Sequence, residues 1–496
     1  MNRFLYIFFF LWLTAPVTAD SSLIMDLHKI SIPAKIERLK FLYLKLQNEE
    51  VTHIELEQMV QVLEQLPFFP QKHHAMIEGI RAFAKNSLEN GLEIRNRLLD
   101  ALGKDQNSPS KNDLPRLVKF TDAGPIESFL RDNPGARRLH STLLWVVVPP
   151  GSIGLKFQNY EDSLVRVEED VSLSLEPVIP DEVKNNPPKL WGIERIGTKT
   201  AWAKGLRGEG VIVAVVDTGV YHHHSAIADR MWVNSMEAEG QPGVDDDGNG
   251  FIDDIHGYNF FAMDADTLDY NAHGSHIAGT IAGWDPEFDF YGVAPQARIM
   301  AVKTHNRKGF SSRRAVVEGI LYAADNGARV INCSWSGAPE AARWSQLLFD
   351  AIEYARQKGA LVVAAAGNKG NYNDGNPVYP ACYKRVIAVA ATAFKTDNVA
   401  VFSNYGVKTV HVAAPGVKIY SMINKERRFW PLSGTSMAAP HVSGAAALVI
   451  QHLEESLGRK ANPDEVKQIL MDHAIGVPGT DNKVATGIIT LENLHQ

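Results

Sequence analysis

Cysteine is nearly absent from this chain. Its 496 residues include two, Cys333 and Cys382, which excludes a disulfide-stapled scaffold and a cysteine-rich zinc domain. One internal bridge is the most it can form, and two buried thiols are an equal alternative. An excess of one charge is also missing. Fifty Lys and Arg stand against 57 Asp and Glu, a net charge of −7, so no nucleic-acid or anionic-membrane surface is expected. The 38 glycines and 25 prolines lie close to the average share, which removes collagen-like and low-complexity classes. Beyond the first twenty residues no charge-free apolar run reaches the ~20 residues a bilayer requires, so no stable membrane span is expected once the front is removed. What remains is a globular chain too long for one core, since cores split above ~250–300 residues.

The front of the chain reads as an address. Arg3 precedes an apolar run over residues 4–13, and Val17 and Ala19 supply small side chains before Asp20. This is the pattern of a signal peptide over residues 1–19, and it predicts a secreted or extracytoplasmic product. The alternative, a membrane anchor, would need a longer run. Residues 20–112 have helical period, with Ile36, Leu39, Tyr43 and Leu46 on one face and Thr52 and Glu55 spaced as a capping box. They carry no evident chemistry. After a polar linker, residues 116–178 mix short strands near 117–120, 142–148 and 163–168 with a helix near 125–131, predicting a small α+β domain. A proline-rich stretch, residues 178–190, then reads as an extended, cleavable connection.

Residues 187–496 change texture again. Apolar β-rich runs at 211–216, 299–303, 330–334, 360–366, 386–391 and 409–413 alternate with helical stretches such as 313–326 and 344–358. Strands this nearly all apolar are buried on both faces, so the expectation is an α/β fold with a doubly wound, mainly parallel sheet.

Three segments carry chemistry. VAVVDTGV (213–220) is a strand ending in Asp217 and a glycine turn. NAHGSHIAGTIAG (271–283) holds His273 where small residues open a helix, and LSGTSMAAPHVSGAAALV (432–449) holds Ser436 in the same setting. A strand-end carboxylate, a histidine and a helix-start serine are the parts of an activated nucleophile: the imidazole takes the serine proton and the carboxylate orients it. The blocks and their order, Asp then His then Ser, resemble those of the subtilisin-like serine peptidases, from about Trp191 onward. The resemblance implies a serine endopeptidase with Asp217, His273 and Ser436 as triad. Asn368, in LVVAAAGNKG (361–370), would donate its side-chain amide to the oxyanion; a structural Asn after Gly367 is compatible with that role.

The same resemblance implies substrate contacts. Ser334, Trp335 and Ser336 correspond to the strand that pairs with the substrate backbone, and Gly309 lies on the opposite strand of the cleft. Ser336 and Val378 stand where glycine is usual in the family, which would narrow the primary specificity pocket. The α+β domain resembles the family's inhibitory propeptide, whereas residues 20–112 have no counterpart there. The implied partners are polypeptide substrates and the chain's own propeptide, with a monomeric enzyme and no organic cofactor. Two rivals are a non-catalytic binding protein on this fold and a subtilase specialised for maturation or ligation.

One more motif stands out. DDDGNGFIDD (245–254) places Asp245, Asp247 and Asn249 at alternate positions, Gly250 at the turn and Asp253 at the ninth place, copying the first part of a calcium loop. His256 occupies the twelfth place instead of Glu, so the loop is not an EF-hand. Structural Ca2+ is expected there, as in similar acidic insertions of the family. His222, His223 and His224 lack an acidic or cysteine partner at ligand spacing, and His276 and His441 read as packing residues.

Overall fold

A computed structural model describes residues 115–149, 163–175, 188–336, 344–492 and 494. These all fall within the unit Lys111–Gln496. The signal-like residues 1–19, the helical expectation for 20–112 and most of the proline-rich connection lie outside the described residues. Among the described residues no helix is long and apolar enough to cross a membrane.

The small domain is an antiparallel sheet with one helix. Strands β1 (Arg116–Phe120), β2 (Arg137–Arg138), β3 (Trp145–Val148) and β4 (Leu164–Glu169) pair in the order β2-β3-β1-β4. Helix α1 (Gly124–Asp132) starts with Pro125 in its first turn, where a missing N–H costs nothing. Val118, Phe120, Val146 and Val148 form one core with Ile126 and Phe129 of α1. Leu117, Trp145 and Val147, which alternate with them, join the core of the large domain. The sheet is therefore sandwiched between its own helix and its neighbour.

The large domain is built on seven strands: β6 (Ile212–Asp217), β7 (Gly257–Asn259), β8 (Arg298–Lys303), β10 (Val330–Cys333), β11 (Leu361–Ala365), β12 (Ile387–Thr392) and β13 (Val412–Pro415). Two short strands lie apart from them, β5 (Ser172–Ser174) and β9 (Phe310–Ser312). The sheet order is β13-β12-β11-β10-β6-β8-β7 and every pair is parallel. Helices α2 (His273–Ala282), α5 (Thr435–Leu457) and α6 (Pro463–Asp472) cover one face, and α3 (Arg313–Asp325) and α4 (Gln346–Gln357) the other. Alternation along β6 shows why its run is wholly apolar. Val213 and Val215 pack toward α2 and α5, while Ala214 and Val216 pack toward α3 and α4. The expected doubly wound parallel sheet is present, with β7 added at one edge. Cys333 and Cys382 are both free thiols.

Candidate active site

The strand ends bring the chemistry together. Asp217 closes β6 at 0 % exposure; its Oδ1 accepts Thr218 N–H at 2.8 Å and His273 Nδ1–H at 2.8 Å. His273 is the first residue of α2 and is 2 % exposed. The approach of the two segments demands glycine. Gly219 has φ +103°, and a Cβ on Gly274 would lie 2.1 Å from Gly219 O. Burial disfavours the imidazolium, yet the Asp217 charge and hydrogen bond hold the His273 pKa above its ordinary value. With Nδ1 committed, Nε2 is the ring's basic atom, and it has no hydrogen-bond partner among the described residues.

Ser436 is the second residue of α5, 2 % exposed, and α5 packs against α2. Its Oγ donates to Ser334 O at 2.9 Å instead of to His273. The sequence dictates part of this link. Pro440 lacks the N–H that would reach Ser436 O, and that carbonyl accepts Ser334 Oγ–H at 3.0 Å. The structure thus joins Asp217 to His273 directly and ties Ser436 to the strand end at Ser334. Asn368 follows β11. Its Oδ1 accepts both Thr435 N–H and Thr435 Oγ–H at 2.8 Å, which fixes the amide so that Nδ2 is its donor end.

The two strands expected to flank the cleft hold a segment of this same chain. β5 pairs antiparallel with β9, Ser174 opposite Phe310, and Ser174 also bridges Ser336. Leu175 N–H donates to Gly309 O at 2.8 Å. Gly309 has φ +79°, and an added Cβ there would press 3.1 Å from Leu175. Residues 172–175 therefore lie as a middle strand between 309–312 and 334–336. The Trp335 side chain is 1 % exposed and points away from this segment, its Nε1–H donating to Val216 O beneath the sheet. Val378 is half-buried, its N–H directed to Cys382 Sγ at 3.2 Å.

Two carboxylates that sequence reading passed over lock the small domain in place. Glu168 Oε1 accepts Gln346 N–H at 2.8 Å and its Oε2 accepts Ser345 Oγ–H at 2.6 Å, at the start of α4. Asp170 Oδ1 accepts Arg314 N–H at 2.7 Å, at the start of α3. Each satisfies first-turn donors at the positive end of a helix. No local pattern marks them, because the helices they cap begin more than a hundred residues later.

In the acidic loop, Glu237, Asp245 and Asp247 bring carboxylate oxygens within 4.8 Å of one another. Asp253, expected in this set, instead accepts Gly243 N–H at 2.9 Å, and Glu237 takes its place. Asn249 is tied back into the loop, its Nδ2 donating to Asp247 and Asp254 and its Oδ1 accepting Phe251 N–H. Glu237 escaped notice because it lies on a short helix eight residues before the motif.

A doubly wound sheet with a carboxylate–imidazole pair at its strand ends and a buried serine at a helix start defines a serine hydrolase of α/β type. The pattern of the subtilase family matches residues 208–487. Thermitase of Thermoactinomyces vulgaris is 36% identical over 300 residues, 60% of this chain and 93% of that protein. Subtilisin Savinase of Lederbergia lenta is 35% identical over 306 residues, 61% and 97% of the two chains. The major intracellular serine protease of Bacillus subtilis (strain 168) is 36% identical over 278 residues, 55% and 79%. The chain belongs to the subtilase family and is a serine endopeptidase.

Proposed function

We propose that this chain is an exported precursor that hydrolyses peptide bonds through Asp217, His273 and Ser436, with Asn368 donating to the oxyanion and residues 116–178 acting as an inhibitory propeptide. The 2.8 Å bond between His273 and Asp217 carries the catalytic part of this reading. It holds the tautomer in which Nε2 can take the Ser436 proton as Oγ attacks the scissile carbonyl, and it stabilises the imidazolium that results. The proton then passes to the leaving amine, and water repeats the cycle on the acyl-enzyme. The strand formed by residues 172–175 in the cleft supports the propeptide. A product-like tail tethered this closely has an effective concentration on the order of millimolar, so weak contacts suffice to inhibit. Cleavage falls after the tail, in the connection that precedes Trp191. Export rests on residues 1–19 alone, and a monomer is the simplest form.

Calcium has a chemically fitting site in Glu237, Asp245 and Asp247, an all-oxygen set of the kind a hard dication prefers. Its role is to neutralise that cluster and stiffen the loop before β7. Mass spectrometry and fluorophosphonate labelling of wild type and Ser436→Ala test the whole reading. Wild type is expected to take the probe and lose the segment before about Trp191, while Ser436→Ala stays unlabelled and, in a protease-free host, uncut. A mutant labelled as strongly as wild type refutes the nucleophile. An active, uncut wild type refutes the propeptide.

A further inference from the structure

We propose that Asp269 is a positioning residue for the His273 imidazole, a second buried carboxylate that ties the Asp217 loop to the His273 helix through Ser275 and adds its charge to the field at the ring. The inference rests on the triad reading above. Asp269 is 2 % exposed and makes no ion pair among the described residues. Lys303, the nearby cation, directs its ammonium to Asp266 and to Leu268 O. Four donors instead surround the carboxylate. Oδ1 accepts Asn271 N–H at 2.7 Å and Ala272 N–H at 3.0 Å, and Oδ2 accepts Ser275 N–H at 2.9 Å and Ser275 Oγ–H at 2.7 Å. Burial pushes its pKa up, while the four donors favour the carboxylate form.

The geometry explains why a carboxylate is needed here. The residue before α2 is Ala272, with φ 97° and no side chain able to cap. The first N–H groups of α2 are therefore satisfied from elsewhere. His273 N–H reaches Asn271 Oδ1 at 3.3 Å, Gly274 N–H reaches Thr218 Oγ at 3.0 Å, and Ser275 N–H reaches Asp269. Asp269 also fixes the direction of the Ser275 hydroxyl. With its proton on Asp269, Ser275 Oγ accepts Tyr221 N–H at 2.9 Å, four residues after Asp217. The two segments whose relative placement sets the Asp217–His273 bond are thus stapled at Thr218 and again at Tyr221. Asp269 also stands among the charges that favour the protonated ring, after Asp217.

The test is the pH dependence of kcat/KM and of the fluorophosphonate labelling rate for the processed enzyme and two variants. Asp269→Asn removes the charge and turns an N–H toward the donors. Its acid limb is expected to move to lower pH, because an imidazolium with one less anion nearby loses its proton more readily. Ser275→Ala keeps the charge and loses the staple. It is expected to lower kcat about tenfold, with KM and the acid limb unchanged. A role in helix stability alone would lower the melting temperature without moving the limb. A folded Asp269→Asn whose limb stays in place overturns the proposal, as does Ser275→Ala with wild-type kcat, which decides the matter if Asp269→Asn does not fold. Failure of the triad reading is distinct, since Ser436→Ala would then still take the probe.

Discussion

Glu168 offers a quantitative test of how the small domain is held. In the docked state its carboxylate accepts Gln346 N–H and Ser345 Oγ–H and receives Arg313 Nη1–H at 3.2 Å. Without the small domain, water serves the two donors at the start of α4, Gln346 N–H and Ser345 Oγ–H. Docking a Glu168→Ala domain would cover them and offer no acceptor. Arg313 Nη1–H also reaches Glu169 O and keeps that acceptor. A donor left unmade under cover costs roughly 1–3 kcal/mol, and bonds to an ionised acceptor sit at the upper end. Two donors of mixed exposure give about 2–4 kcal/mol, which corresponds to a loss of affinity of about 30- to 1,000-fold. The assay is inhibition of the processed enzyme by the separated segment, residues 116–178, as wild type, Glu168→Ala and Glu169→Ala. Glu169 is exposed and serves as the control. Its replacement should change the inhibition constant by less than about threefold. Equal inhibition constants for wild type and Glu168→Ala would refute capping as a source of affinity.

Asn368→Ala should lower kcat by about 10²–10³ with little change in KM, the ~2.7–4 kcal/mol a side-chain oxyanion donor contributes in subtilisin; an unchanged kcat would show that the donor lies elsewhere. Activity should fall as pH drops through the His273 pKa, which lies above the ordinary histidine value, because Nε2 must be unprotonated to act. The stability from that pairing has the opposite sense. It is complete below about pH 6.5, the unfolded value, and is lost as pH rises through the folded one, so denaturation midpoints of wild type and Asp217→Asn should converge at alkaline pH. Chelator should lower the melting temperature of wild type, since a ligand at a hundredfold excess over its dissociation constant contributes about 2.7 kcal/mol. Asp247→Ala should shrink that difference, and no chelator effect on wild type would remove the calcium site.

The sequence by itself determined the sheet, because strands covered on both faces must be apolar at every position. The runs around β6, β8, β11 and β12 satisfy that requirement over their interiors, and β10 does so except at Asn332, whose side chain is hydrogen-bonded to Ser334 and Ser443. It singled out the proposed reacting residues as well, since Asp217, His273 and Ser436 each stand where small or glycine residues let backbone segments approach closely. Local pattern also reached the alternation of Asp245 and Asp247, though not their partner. Tertiary structure alone decided which distant groups meet. Glu168 and Asp170 become helix caps only because the small sheet docks on α3 and α4. Glu237 replaces Asp253 beside Asp245 because a short helix folds back over the loop. The Trp335 side chain points beneath the sheet, where its indole N–H finds Val216 O. These pairings obey no period in the chain. They arise from where folded surfaces happen to bring a donor opposite an acceptor, and burial then makes each unmade bond too costly to leave open.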